Sequence, residues 1–200
     1  MTLVVEDASG LGGEFFRWEY ATAAAGALLG VNPFDQPDVQ SAKDASGRVL
    51  SHFEQHGALP DVVATETPSA LTERLHPGTY LAIMAYLHQT PATDSALASF
   101  RNRLGSRLRV ATTLGYGPRF LHSTGQLHKG GPGEGVFLQV VSAHPRDLAI
   151  PGRGYTFGTV ADAQAMGDLQ ALCAQGRPVA RIVLEDDDAV LLERALQAVV

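Results

Sequence analysis

Cysteine is almost absent from this chain. One thiol, Cys173, stands among 200 residues, so no internal disulfide framework can form and the fold must rest on its own core. A chain built this way fits a reducing compartment, and a cytoplasmic location is expected. Positive charge is also scarce. Fifteen Lys and Arg stand against 21 Asp and Glu, a formal net charge of −6. A general nucleic-acid binder needs clustered cations along a phosphate backbone, so that class is excluded. A single phosphorylated small molecule is not, since one or two local cations suffice. Long apolar runs are missing too. The longest, Ala21–Val31, is about half the ~20 residues that a membrane span requires, so no membrane partner is expected. The opening residues carry two acids and no basic stretch, and no secretory leader is expected. What remains is 45% hydrophobic and 18% charged, a folding composition rather than a disordered one.

The pattern along the chain predicts an α/β fold. Thr2–Glu6 reads as a strand and Ala8–Gly13, with three glycines, as a loop. Glu14–Leu29 is alanine-rich and reads as a helix stopped by Gly30. Pro37 suits the first turn of a second helix that runs to His56 and ends at Gly57. Residues 58–78 hold three prolines and little periodicity, and read as a linker with one short strand at Val62–Ala64. Beyond it, apolar runs at Thr79–Leu87, Leu108–Leu114, Val136–Val141 and Pro178–Glu185 read as strands. Helices are predicted at Ala92–Leu104, capped by Thr93 or Asp94, at Thr159–Ala174 and at Asp188–Val199. Tyr116–Gly135, with six glycines and two prolines, reads as irregular. Strands alternating with helices imply βαβ units and a mostly parallel sheet with flanking helices. The expected domains are 1–57, a linker at 58–78 and a C-terminal α/β domain at 79–200.

Two stretches carry candidate chemistry. In NPFDQPDVQSAK, Gln36 opens a helix and Lys43 follows seven residues later, nearly two turns on, so both fall on one face. An amide, an ammonium and a helix N-terminus could hold a sugar phosphate. A solvent-facing lysine on an ordinary amphipathic helix is the plainer alternative. The second stretch, Gly115–Val140, packs Arg119, His122, Ser123, Thr124, Gln126, His128 and Lys129 into eleven positions. Hydroxyls and cations on a Gly-rich loop could bind phosphate, and a histidine there could move protons near neutral pH. In open parallel sheets ligands bind beyond the carboxyl ends of strands, where this loop begins. The alternative is a loop whose polar groups satisfy its own backbone. The G-K-[ST] ending of a nucleotide loop is missing, and two histidines six apart without cysteine make a poor metal site. Neither a metal nor a cofactor is expected. His52, His56 and His88 read as surface or helix-end residues, Phe15, Phe16 and Trp18 as core, and Glu185–Asp188 as a solvated cap.

Asn32, Phe34, Asp35, Gln36 and Lys43 match a segment of the phosphoglucose isomerases: N-x-F-D-Q, then a lysine seven residues after the glutamine. The preceding GGEFFRWEYATAAAGALLGV resembles the helix and strand that lead into it. The stretches ATTLGYGPRFLHSTGQLHKGGP, GVFLQV and IPGRGYTFGTVADAQAMGDLQAL resemble the extra C-terminal region of isomerases fused behind a transaldolase, so the resemblance covers nearly the whole chain. It implies a partial sugar-isomerase-type segment ahead of the α/β domain. It also implies interconversion of glucose 6-phosphate and fructose 6-phosphate in glycolysis and gluconeogenesis. Lys43 would assist ring opening and the enediol step, with Gln36 beside it. A family histidine in a G-Q-H sequence acts in ring opening. The chain has Gly125-Gln126-Leu127-His128 instead, and later than the family order, so that role for His128 is a hypothesis. Arg119, Ser123, Thr124, Gln126 and Lys129 are the accompanying candidates for substrate binding. The E-S-x-G-K segment that carries the family's catalytic glutamate is not found. The expected partners are therefore a sugar phosphate and the missing N-terminal isomerase half or a transaldolase domain, with homo-oligomerisation left open. A non-catalytic sugar-phosphate-binding or assembly module is the alternative.

Overall fold

A computed structural model describes residues 5, 7–35 and 37–199, with the backbone alone for Pro37, Leu121 and Ser123. The expected strand Thr2–Glu6 and the candidate Gln36 lie outside the described residues, apart from Val5. The chain divides into two compact units, one up to residue 36 and one from residue 37.

The first unit is built on α1 (Ala8–Leu29). Its N-cap is Asp7, whose carboxylate accepts the Gly10 N–H at 2.8 Å. Ala8–Gly13 is thus helix and not loop: the cap sets the start, and three glycines are tolerated inside it. Gly30 ends it at φ 70°, a left-handed turn that glycine adopts freely. Phe15, Phe16 and Trp18 are 62%, 69% and 64% exposed. They are not core residues, because one helix and a short tail offer no second layer to bury them.

The second unit is a four-stranded, all-parallel sheet between helical layers. Its strands are β1 (Tyr80–Tyr86), β2 (Ala111–Tyr116), β3 (Gly135–Ser142) and β4 (Val179–Leu184), in the order β2-β1-β3-β4. The apolar runs of β1 and β3 make them central, buried on both faces. Alternate residues serve opposite layers. Leu81, Ile83 and Ala85 of β1 meet Leu97, Phe100 and Leu104 of α3 (Pro91–Leu108) and Leu192 and Leu196 of the last helix, Ala189–Gln197. Ala82, Met84 and Tyr86 meet Phe120 and, on α5 (Phe157–Ala174), Leu169 and Leu172. Thr90 rather than Thr93 or Asp94 caps α3, through a reciprocal bond with Thr93.

Two expectations need correction. First, α2 (Pro37–His56) belongs with the sheet rather than with the preceding helix: its Ser46 lies against Gly167 of α5. Residues 58–78 are not a free linker either. Val62–Ala64 is no strand, but Glu66 bridges to Ala180, Thr65 bonds the backbone of Val179, and Leu71 and Leu75 enter the core. Second, Tyr116–Gly135 is not irregular. It forms a short 3-10 turn at Arg119–Leu121 and α4 (Ser123–Gly130). Several of its glycines are demanded by close approach. A methyl on Gly125 would collide with the Phe120 carbonyl, and one on Gly130 with the Asp38 carboxylate.

Gly125→Ala should therefore destabilise the protein by about 3 kcal/mol, the upper range for overpacking against backbone. Urea denaturation would measure it. Gly47→Ala, on α2 with open space at its Cβ, should instead be neutral or stabilising.

Candidate functional site

The candidate loop of the sequence turns inward. Lys129 is 1% exposed, and its ammonium donates to Asp168 Oδ1 of α5 at 2.5 Å and to the Phe120 carbonyl at 3.0 Å. The other oxygen of Asp168 accepts the Tyr86 hydroxyl at 2.5 Å. Burial, then the Asp168 charge, pushes the Tyr86 hydroxyl well above its usual pKa, so it remains a donor. His128 is 3% exposed, in an aromatic cage of Tyr80, Phe120 and Phe137. Burial first, then the neighbouring Lys129 charge, lowers its pKa to about 4. Gln126 is committed as well. Its amide accepts the Asp38 N–H at 3.1 Å and donates to the Asp38 carboxylate at 2.8 Å, fastening α4 to the start of α2.

His128, Lys129 and Gln126 thus hold the core together and are not brought to a ligand surface. The spacing of the motif could not reveal this, because the deciding partners, Asp168 and Asp38, lie far away in sequence. Arg119, His122 and Thr124 are exposed, and the Ser123 side chain is outside what is described. Lys43 is exposed on α2, where it lines an open depression of about 650 Å³ with Arg48, Ser51, His52 and Gln55.

The parallel topology creates a second concavity that no motif announced. The sheet order reverses direction between β1 and β3, and a cleft of about 740 Å³ opens beyond the carboxyl ends of those strands. The β1 end contributes Tyr86, Leu87 and His88, and β2 contributes Gly117 and Pro118. The β3 end contributes Ser142 to Leu148, and β4 contributes Asp186 and Asp187. The expectation that the loop after the second strand begins at a ligand-binding edge is met only by Gly117 and Pro118.

Within the cleft, His144 Nε2 lies 3.1 Å from Asp162 Oδ1 on α5. Asp147 accepts the N–H groups of Leu148 and Gly158, both at 2.8 Å. The Thr156 hydroxyl, then those N–H groups, hold the Asp147 carboxyl below its ordinary pKa. Gly158 permits this arrangement, since a methyl there would strike both Asp147 and the His144 ring. The cleft is mixed in character: Phe157 is 58% and Leu148 70% exposed beside these polar groups. Among the described residues, no group of three or more His, Cys, Asp or Glu is placed to hold a metal ion. No helix among them is long and apolar enough to cross a membrane.

No protein-family model and no curated protein matches the chain. A solved structure of similar fold is a hypothetical protein from Thermus thermophilus, at TM-score 0.56 and 18% identity. The match covers 82% of this chain and 43% of that protein, so the chain spans less than half its length. At this identity the likeness is one of fold.

The buried groups can be tested by their stability. Lys129→Met should cost about 3–5 kcal/mol in urea denaturation by stranding Asp168. The triple variant Lys129→Met/Asp168→Leu/Tyr86→Phe should recover most of that loss. For His128, the unfolded ring takes a proton near 6.5, while the folded ring resists until about 4. The stability that this residue contributes is whole above pH 6.5 and is lost as pH falls toward 4, at ~1.4 kcal/mol per pH unit. Between pH 7 and pH 4.5 the native chain should lose about 2–3 kcal/mol more than His128→Leu does. Equal losses would remove His128 as the source.

Proposed function

We propose that this chain is the C-terminal part of a glucose-6-phosphate isomerase and is inactive by itself. Lys43 carries the reading. It lies where the resemblance puts the sugar contact, its side chain is exposed, and the depression beside it offers further donors from Arg48, Ser51 and Gln55 beside one carboxylate, Asp44. An ammonium and a guanidinium there suit an anionic sugar phosphate. The base that moves a proton between C1 and C2 would come from the absent half, since no E-S-x-G-K segment occurs in this sequence. Lys43 contacts the open-chain sugar in this reading, and His128 and Lys129 support the fold around it. The reading places the chain in the cytoplasm.

A specific observation favours a second reading, a non-catalytic sugar-phosphate-binding or assembly module. The two residues with the most reactive chemistry in the Gly-rich stretch, His128 and Lys129, are both enclosed.

A coupled isomerase assay separates the two. The chain alone should give no turnover with fructose 6-phosphate. Mixed with the N-terminal isomerase half, it should restore activity, and Lys43→Ala in the mixture should lower kcat/KM about 10²-fold. Turnover by the chain alone would refute the divided-site reading. Failure of the mixture, with fructose 6-phosphate still shifting the amide resonances of α2, would favour the binding module.

A further inference from the structure

We propose that the cleft at the carboxyl ends of β1 and β3 is a binding site for a small, neutral, polyhydroxylated ligand, separate from the Lys43 depression and independent of the isomerase reading. The first argument is what the cleft refuses. Helix N-termini at this edge of a parallel sheet commonly hold phosphate through free N–H groups and the helix dipole. Here the start of α5 is already occupied. Asp147 takes the Gly158 N–H, Leu148 takes the Phe157 N–H through its carbonyl, and Thr156 takes the Thr159 N–H. The start of α3 is partly closed: Pro91 has no N–H, and the Thr90 hydroxyl takes that of Thr93. The chain's own carboxylate stands where an anion would be held, and Asp186 and Asp187 add negative charge to the wall. A phosphate meets three carboxylates, Asp147, Asp186 and Asp187, against the single guanidinium of Arg146.

The second argument is what the cleft offers. Asp187 accepts the His88 N–H through Oδ2 at 2.8 Å, while its Oδ1 is buried with no partner among the described residues. That oxygen is closed to solvent, so Asp187 meets the cleft as a fixed negative charge rather than as a direct ligand contact. Arg146 and Gln164 supply donors, and His144, held by Asp162, can donate or accept. Hydroxyls serve both roles at once, and several on a short carbon skeleton suit a wall that mixes donors with acceptors. The exposed ring of Phe157 and the Leu148 side chain supply apolar surface for the C–H face of such a skeleton.

The test is a titration of the ¹⁵N-labelled chain followed by amide resonances, with D-glucose, D-ribose, D-sorbitol and inorganic phosphate as separate probes. At least one neutral probe should shift His88, Gly117, His144, Asp147 and Gly158 at millimolar concentration, and phosphate should leave these amides unmoved. Phe157→Ala and His144→Ala should each weaken that binding at least tenfold with the fold intact, as judged by unchanged resonances of β1 and β3. Phe157 is exposed, so its variant will fold. No shift with any of the three neutral probes would overturn the proposal. So would binding unaffected by both variants, or phosphate shifting the same amides.

Discussion

An ammonium and a carboxylate face each other in this protein, both buried from solvent. Removing two charges from water costs several kcal/mol each, and only close pairing with further hydrogen bonds recovers it. Lys129 and Asp168 meet that condition because the Phe120 carbonyl and the Tyr86 hydroxyl add a further bond to each. The consequence is geometric. The short helix α4 is locked to α5 and to the end of β1, and it can approach so closely only because residue 125 is glycine. From that fixed position Gln126 reaches Asp38, and Arg177 reaches the carbonyls at the other end of α4, those of Lys129 and Gly131. The start of α2, and with it the helix that carries Lys43, is therefore registered by the same ion pair. So is the floor of the cleft, since Tyr86 lines it.

The sheet was readable in the sequence for a simple reason. β1 and β3 are buried on both faces, and only an unbroken apolar run satisfies both. The helix α2 was readable from Pro37 at its start and Gly57 at its end. What could not be read were places where one residue type serves two opposite purposes. Glycine marks flexibility in Ala8–Gly13 by composition, yet a capping aspartate makes that stretch helical. In Tyr116–Gly135 glycine marks tight packing, and composition cannot tell tight packing from disorder. Lysine and histidine have the same ambiguity. On a loop they suggest catalysis, but Lys129 has its counter-ion 39 positions away and His128 its cage of rings on three different elements. Burial of a charge is decided by tertiary partners that local spacing does not encode.

The cleft shows the converse. Its location follows from topology, because the strand order reverses between β1 and β3 and such a switch point leaves a gap beyond the strand ends. Its chemistry does not follow from topology. The general expectation for such a gap is an anion on a helix N-terminus, and Asp147 cancels it. This carboxylate accepts two backbone N–H groups and is favoured by the nearby Thr156 hydroxyl, which hold it charged. A helix dipole already paired with an internal anion attracts a second one less, and the remaining charges on the wall are Asp186 and Asp187 against Arg146. The same sheet edge that favours nucleotides and phosphates in other parallel folds is converted into one that favours ligands without charge. The conversion rests on one aspartate and on the glycine at 158 that makes room for it.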